Sequence, residues 1–98
     1  MRYRSQSEMF EAIWEERPHV SEVSGSPLHS KGHPKWHWQF AHVLSKGAFP
    51  SFKYESDNIM LMTPEEHENQ ERYAVFNDRK EVLKRRYLEE SRDLFSNL

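Results

Sequence analysis

The chain has no cysteine. That excludes disulfides and every zinc site built on thiolates, and it favours the cytosol over an oxidising compartment. Long apolar runs are missing as well. No stretch approaches the roughly 18 apolar residues of a membrane-spanning helix. The arginines of residues 1–8 are not followed by the apolar segment of a signal peptide. These absences predict a soluble, cytoplasmic chain with no membrane partner. Carboxylates are absent from one window: residues 31–53 hold Lys31, Lys35, Lys46 and Lys53, with His33, His37 and His42, and no Asp or Glu. The whole chain carries a net charge of -2, so bulk charge does not point to nucleic acid. A weakly acidic protein can still present one basic face, and a phosphate backbone feels the local potential. A solvated loop that lacks acids fits the same composition.

At 98 residues the expectation is a single domain spanning 1–98. Ser5 or Ser7 can cap a first helix over about residues 6–17, with Glu8 in its first turn and Pro18 ending it. Met9, Phe10, Ile13 and Trp14 give that helix an apolar stripe for the core. Residues 19–28 read as a short strand, a turn at Gly25 and an exit through Pro27. Residues 29–35 read as a polar loop in which His29 and His33 are solvated. Over residues 36–44, Trp36, Trp38, Phe40 and His42 alternate with His37, Gln39 and Ala41, and this period of two predicts a strand. Its aromatic face is assigned to the core, because a stacking platform for bases needs exposed rings. Residues 45–50 form the hairpin loop, and residues 58–62 the second strand. Thr63, Pro64 and Glu66 make a strong helix start, with Thr63 as N-cap and Glu66 completing a capping box. That helix would carry His67 and Glu71 on one face. Asn77 or Asp78 is expected to cap a last helix over about residues 78–95, striped by Val82, Leu83, Leu88, Leu94 and Phe95. The fold class is α+β.

The order of His42, Asn58 and, nine positions on, His67, placed on strand, strand and helix, resembles the HNH nucleases of the ββα-metal class. The resemblance covers about residues 20–71, and implies a hairpin–helix core over about 36–75 flanked by the N-terminal and C-terminal helices. It implies a small phage-type or mobile-element endonuclease that hydrolyses DNA phosphodiester bonds, acting in the host cytoplasm if phage-encoded. By resemblance His42 is the general base, and Asn58, the second member of the catalytic pair, fixes the loop that presents it. His67 would hold one divalent metal ion, Mg²⁺ or Mn²⁺ first, with Zn²⁺ and Ni²⁺ as further options. Lys46 and Lys35 would reach phosphates of the DNA. Many members of the family carry a C-x-x-C-G knuckle paired with a second C-x-x-C. The equivalent places here are Ser21, Ser24 and Gly25, and Thr63 and Glu66, which keep the spacing without a zinc ligand, so that packing by the flanking helices must do the stapling.

One position departs from the family. The residue before the general base is commonly a metal ligand, and here it is Ala41. Glu71, one turn beyond His67, is the nearest replacement, with Glu22 second and His37 and Gln39 more remote. Without a replacement, the chain would be a catalytically inactive HNH-like module that binds DNA or protein. An unrelated α+β interaction domain is the third reading. Sequence specificity would be weak or supplied by a partner protein. DNA against RNA, nicking against double-strand cutting, and oligomeric state have no signature in the sequence.

Overall fold

The computed structural model describes residues 2–96, with side chains described through residue 90. Among the described residues it is a small α+β domain of three α-helices and one two-stranded antiparallel sheet, compatible with the expected hairpin followed by a helix. None of its helices is long and apolar enough to cross a membrane.

Helix α1 covers Gln6–Glu16. Ser5 is its N-cap, accepting from the Glu8 amide at 3.2 Å, and Met9, Phe10, Ile13 and Trp14 are buried as their spacing predicts. Strands β1 (Phe40–His42) and β2 (Ile59–Leu61) pair in the register Phe40–Leu61, Ala41–Met60 and His42–Ile59. Alternation along these strands divides the core in two. Phe40, Ile59 and Leu61 pack against α1, with Phe10 stacked on Phe40 at 4.2 Å. Ala41, Met60 and Met62 pack on the opposite face with Phe76 and Leu83 of α3, which runs Ala74–Ser96. The hairpin is therefore a thin septum between two helices. Arg86 of α3 also reaches across to the loop before β2, with Nη1 2.9 Å from Asp57 and Nη2 3.5 Å from Glu55.

Four sequence expectations need correction. Strand β1 does not begin at Trp36, because Trp36–Gln39 winds into a 3₁₀ turn. Trp36 and Gln39, three apart, are buried, and Gln39 turns inward so that its amide clamps both main-chain groups of His29, at 2.6 and 3.1 Å. Trp38 is consequently turned out of the core and is 63% exposed. The hairpin connection is longer than residues 45–50 and contains two further 3₁₀ turns, Pro50–Phe52 and Ser56–Asn58. Helix α2 covers only Pro64–Glu68, because the Asn69 side chain donates to the Glu65 carbonyl at 3.1 Å and the chain leaves helical geometry there. Helix α3 begins at Ala74, not at Asn77 or Asp78, and Asn77 instead donates to the Glu71 carbonyl at 2.9 Å. The side chains of Leu94 and Phe95 lie outside the described residues. Val82 and Leu88 are exposed, so of the expected stripe Leu83 alone is a described core residue.

The expected stapling by packing alone also needs amendment. Ser21, Ser24, Thr63 and Glu66 converge. The buried Glu66 carboxylate accepts from the Ser21 hydroxyl at 2.6 Å and from the Thr63 amide at 2.8 Å, while Ser21 Oγ accepts from the amides of Val23 and Ser24. Burial pushes the Glu66 carboxyl upward, but the hydrogen bonds from Ser21, Thr63 and Ser24 outweigh it and hold the group below its ordinary value. This knot ties the turn after α1 to the start of α2. Beside it, Glu22 covers the free edge of β2: its amide donates to Leu61 O at 2.8 Å and its carboxylate accepts from Leu61 N at 2.7 Å.

A hydrogen bond to a buried charge contributes about 1.5–3 kcal/mol, so Ser21→Ala should lower the unfolding free energy by about that much in urea melts at neutral pH. Because the folded-state pKa of Glu66 is depressed, its contribution is present above the ordinary value of 4.5 and is lost as pH falls through the folded value. The gap between Ser21→Ala and the wild-type chain should narrow over that acid window.

Candidate active-site cleft

His42 ends β1 on the face that packs against α1, where Phe10 lies 6.3 Å from its ring. One of its nitrogens is spoken for: Nε2 stands 3.1 Å from the Lys53 carbonyl. A carbonyl can only accept, so Nε2 carries the proton and the lone pair of the neutral ring is on Nδ1. His67, on α2, shows the opposite arrangement. Its Nδ1 stands 2.7 Å from the Trp38 carbonyl, which leaves Nε2 as the lone-pair nitrogen. Both imidazoles line one cleft of about 460 Å³, together with His37, Trp38, Lys46 and Gln6. Burial foremost, with the positive charge of Lys46 and the neighbouring His67 ring adding to it, pushes the His42 pKa below its ordinary value of 6.5, against the opposing hydrogen bond to Lys53. At neutral pH this imidazole is held in its base form.

Asn58 sets that geometry without reaching the cleft. It is fully buried. Its Oδ1 accepts from Leu44 N at 2.7 Å, and its Nδ2 donates to Leu44 O at 3.0 Å and to Phe52 O at 3.3 Å. Its main-chain carbonyl accepts from Val43 N at 2.8 Å. Val43 and Leu44 directly follow His42, and Phe52 directly precedes the carbonyl that orients the His42 ring. One side chain thus fixes both the strand end that carries the imidazole and the loop that selects its tautomer.

The remaining sequence candidates separate. Lys46 lines the cleft and donates to Gln6 Oε1 at 3.2 Å, an exposed neutral contact that a phosphate can replace. Lys35 lines an adjoining hollow of about 560 Å³ with Trp38, Pro64, Glu65, His67 and Glu68. Two other lysines of the basic window are engaged: Lys31 pairs with Glu11 at 2.8 Å, and Lys53 sits over the Tyr54 ring at 4.9 Å. Glu71 is not on the helix of His67. It lies in the 3₁₀ turn Gln70–Arg72 and shares with His67 a hollow of about 380 Å³ whose lining does not include His42. Ala41 is fully buried against the α3 side. Glu22 and Gln39 are committed to main-chain groups, as described above. His37, ranked as remote from the sequence, does line the cleft. His29 and His33 stack on each other at 3.9 Å, and His33 Nδ1 accepts from Lys35 N.

Among the described residues no group of three or more His, Asp or Glu side chains is placed to cage an ion by itself. The donors that do face the cleft are imidazoles, with His67 Nε2 held in place from behind by its hydrogen bond to Trp38, the usual way a ligating histidine is oriented. An ion here would have to take most of its ligands from groups other than these side chains, and nitrogen donors suit Mn²⁺, Ni²⁺ or Zn²⁺ better than Mg²⁺.

The exposed Trp38 and the cleft position of His37 escaped sequence reasoning. Both follow from the 3₁₀ turn, and a four-residue W-H-W-Q run fits a period of two as well as a period of three.

Asn58→Ala removes three side-chain hydrogen bonds and leaves buried main-chain groups unpaired, so it should cost about 3 kcal/mol in denaturant melts. Asn58→Asp, which cannot donate to Leu44 O or Phe52 O, should also be destabilised. A near-neutral result for both variants would show that the loop holds itself. Compared with protein-family models, curated proteins and solved structures, the chain matches none.

Proposed function

We propose that the protein is a small metal-dependent nuclease of the HNH type, hydrolysing phosphodiester bonds of DNA in the cleft between β1 and α2. The observation that carries this reading is the paired imidazole geometry: His42 and His67 line one cleft, and each has one nitrogen tied to a main-chain carbonyl and the other left with its lone pair. In this reading His42 Nδ1 takes the proton of the attacking water. Its depressed pKa keeps that nitrogen unprotonated at neutral pH. Asn58 holds the base in place through Leu44 and Phe52. Lys46 and Lys35, on either side of Trp38, attract and seat the phosphates. His67 Nε2, with His37 beside the same cleft, would hold the divalent ion. A bound ion supplies charge neutralisation at the phosphate and stabilises the leaving oxygen.

A second reading rests on Ala41. A buried methyl group stands where the family commonly places a ligand, and Glu71 lies outside the cleft. The chain would then be an inactive HNH-like module that binds DNA, or a protein, through the same cleft.

Plasmid cleavage with Mn²⁺, Mg²⁺, Ni²⁺ or EDTA separates the two. The nuclease reading expects metal-dependent cutting that falls by about 10²-fold or more in His42→Ala, the usual worth of a general base. His67→Ala should shift the metal titration to higher concentration. The acid limb of the pH–rate profile should lie below 6.5, since a lowered pKa keeps the base competent at more acidic pH. Binding of DNA with equal background cutting in wild type and His42→Ala would favour the inactive module.

A further inference from the structure

We infer that Trp38 is a stacking platform for one unpaired nucleobase, so that the substrate class of the cleft is single-stranded or locally unstacked DNA. The inference rests on the nucleic-acid reading above, but its geometry is separate from the hydrolytic residues. Trp38 is 63% exposed, whereas Trp14 and Trp36 are 8% and 5% exposed. A large ring left in water on a domain this small forgoes the burial that the other two tryptophans gain, and its position is not slack. The Trp38 carbonyl is the group that orients His67, and Trp38 N is bonded to Lys35 O at 3.1 Å. The main chain that carries the indole is thus fixed relative to the candidate active site.

Trp38 lines both the His42–His67 cleft and the adjoining hollow of about 560 Å³. The chemistry of that hollow suits a base. Pro64 adds an apolar surface, Lys35 a cation, and Glu65 and Glu68 two carboxylates. Carboxylates repel a phosphate but accept hydrogen bonds from exocyclic amino groups on base edges. Lys35 at one side and Lys46 at the other then mark the path of the sugar–phosphate chain past the ring. A base inside an intact duplex has both faces covered, so only an unstacked base can use such a platform.

The test is binding in EDTA, where no hydrolysis contributes. Labelled single-stranded DNA, a perfect duplex of the same sequence, and that duplex with one bulged base are titrated by fluorescence polarisation, and the protein's own tryptophan emission is followed in parallel. The wild-type chain should bind the single strand and the bulged duplex more tightly than the perfect duplex, with quenching of the one exposed tryptophan. Trp38→Ala should weaken the first two by roughly tenfold, the worth of one base–aromatic stack, and leave the perfect duplex within about twofold. Trp38→Phe should retain most of the preference. A preference that survives Trp38→Ala, an equal loss on all three DNAs, or no binding to any of them would overturn the platform. Binding lost in Trp38→Ala by a wild-type chain that cuts nothing with any metal would support the platform while overturning the nuclease.

Discussion

The buried amide of Asn58 is the constraint on which the hairpin depends. Strands of three residues bury little surface and cannot alone hold a connection as long as the one between them. That connection is closed by bonds from a single side chain to Leu44 and Phe52, supplemented by the main-chain bond from Val43. Because the donors and the acceptor of the amide are all used, neither an apolar nor a carboxylate side chain can substitute without orphaning a buried group. The orientation of His42 is a downstream result. The loop that Asn58 closes brings the Lys53 carbonyl to the ring, and that carbonyl decides which nitrogen has the lone pair.

The same solution recurs around the domain. Gln39 clamps the main chain of His29, Glu66 joins two turns, Glu22 covers the edge of β2, and Arg17 donates to Ile59 O and Ser56 O. Each is a polar side chain bonded to main-chain groups, and Glu66 and Arg17 add a side-chain bond as well, to Ser21 and to Glu22. In a chain of this size two thin apolar layers sit either side of one small sheet, and the turn bonds of the long loops leave main-chain groups, such as those of Leu44 and His29, to be met by side chains. Side-chain clamps supply the missing partners.

This pattern explains what was legible in the sequence. Helix α1 and the capped start of α2 were readable because apolar spacing and capping chemistry are local. The second strand was readable because an apolar run of that length between turn residues has few alternatives. The 3₁₀ turn at Trp36–Gln39 was not readable, because what bends the chain there is a contact between Gln39 and His29, ten residues away. The end of α2 depended on the Asn69 side chain taking a carbonyl, and with it went the placement of Glu71 and His67 on one helix, although the two still border one hollow. Of the candidate site, His42, Asn58 and His67 were chosen by their order along the chain. Their joint geometry, the tautomers and the presence of His37 and Trp38 beside them are tertiary facts with no local signature.

The Ser21–Glu66 knot has a consequence for how the protein relates to its surroundings. A domain stapled by a metal folds only where that metal is supplied, and a chelator or an oxidant can unmake it. Here the staple is a carboxylate accepting hydrogen bonds, and the quantity that weakens it is proton activity in the acid range. The knot that ties the turn after α1 to the start of α2 therefore closes without a metal ion. Under the proposed nuclease reading, an ion would load onto a domain that is already folded.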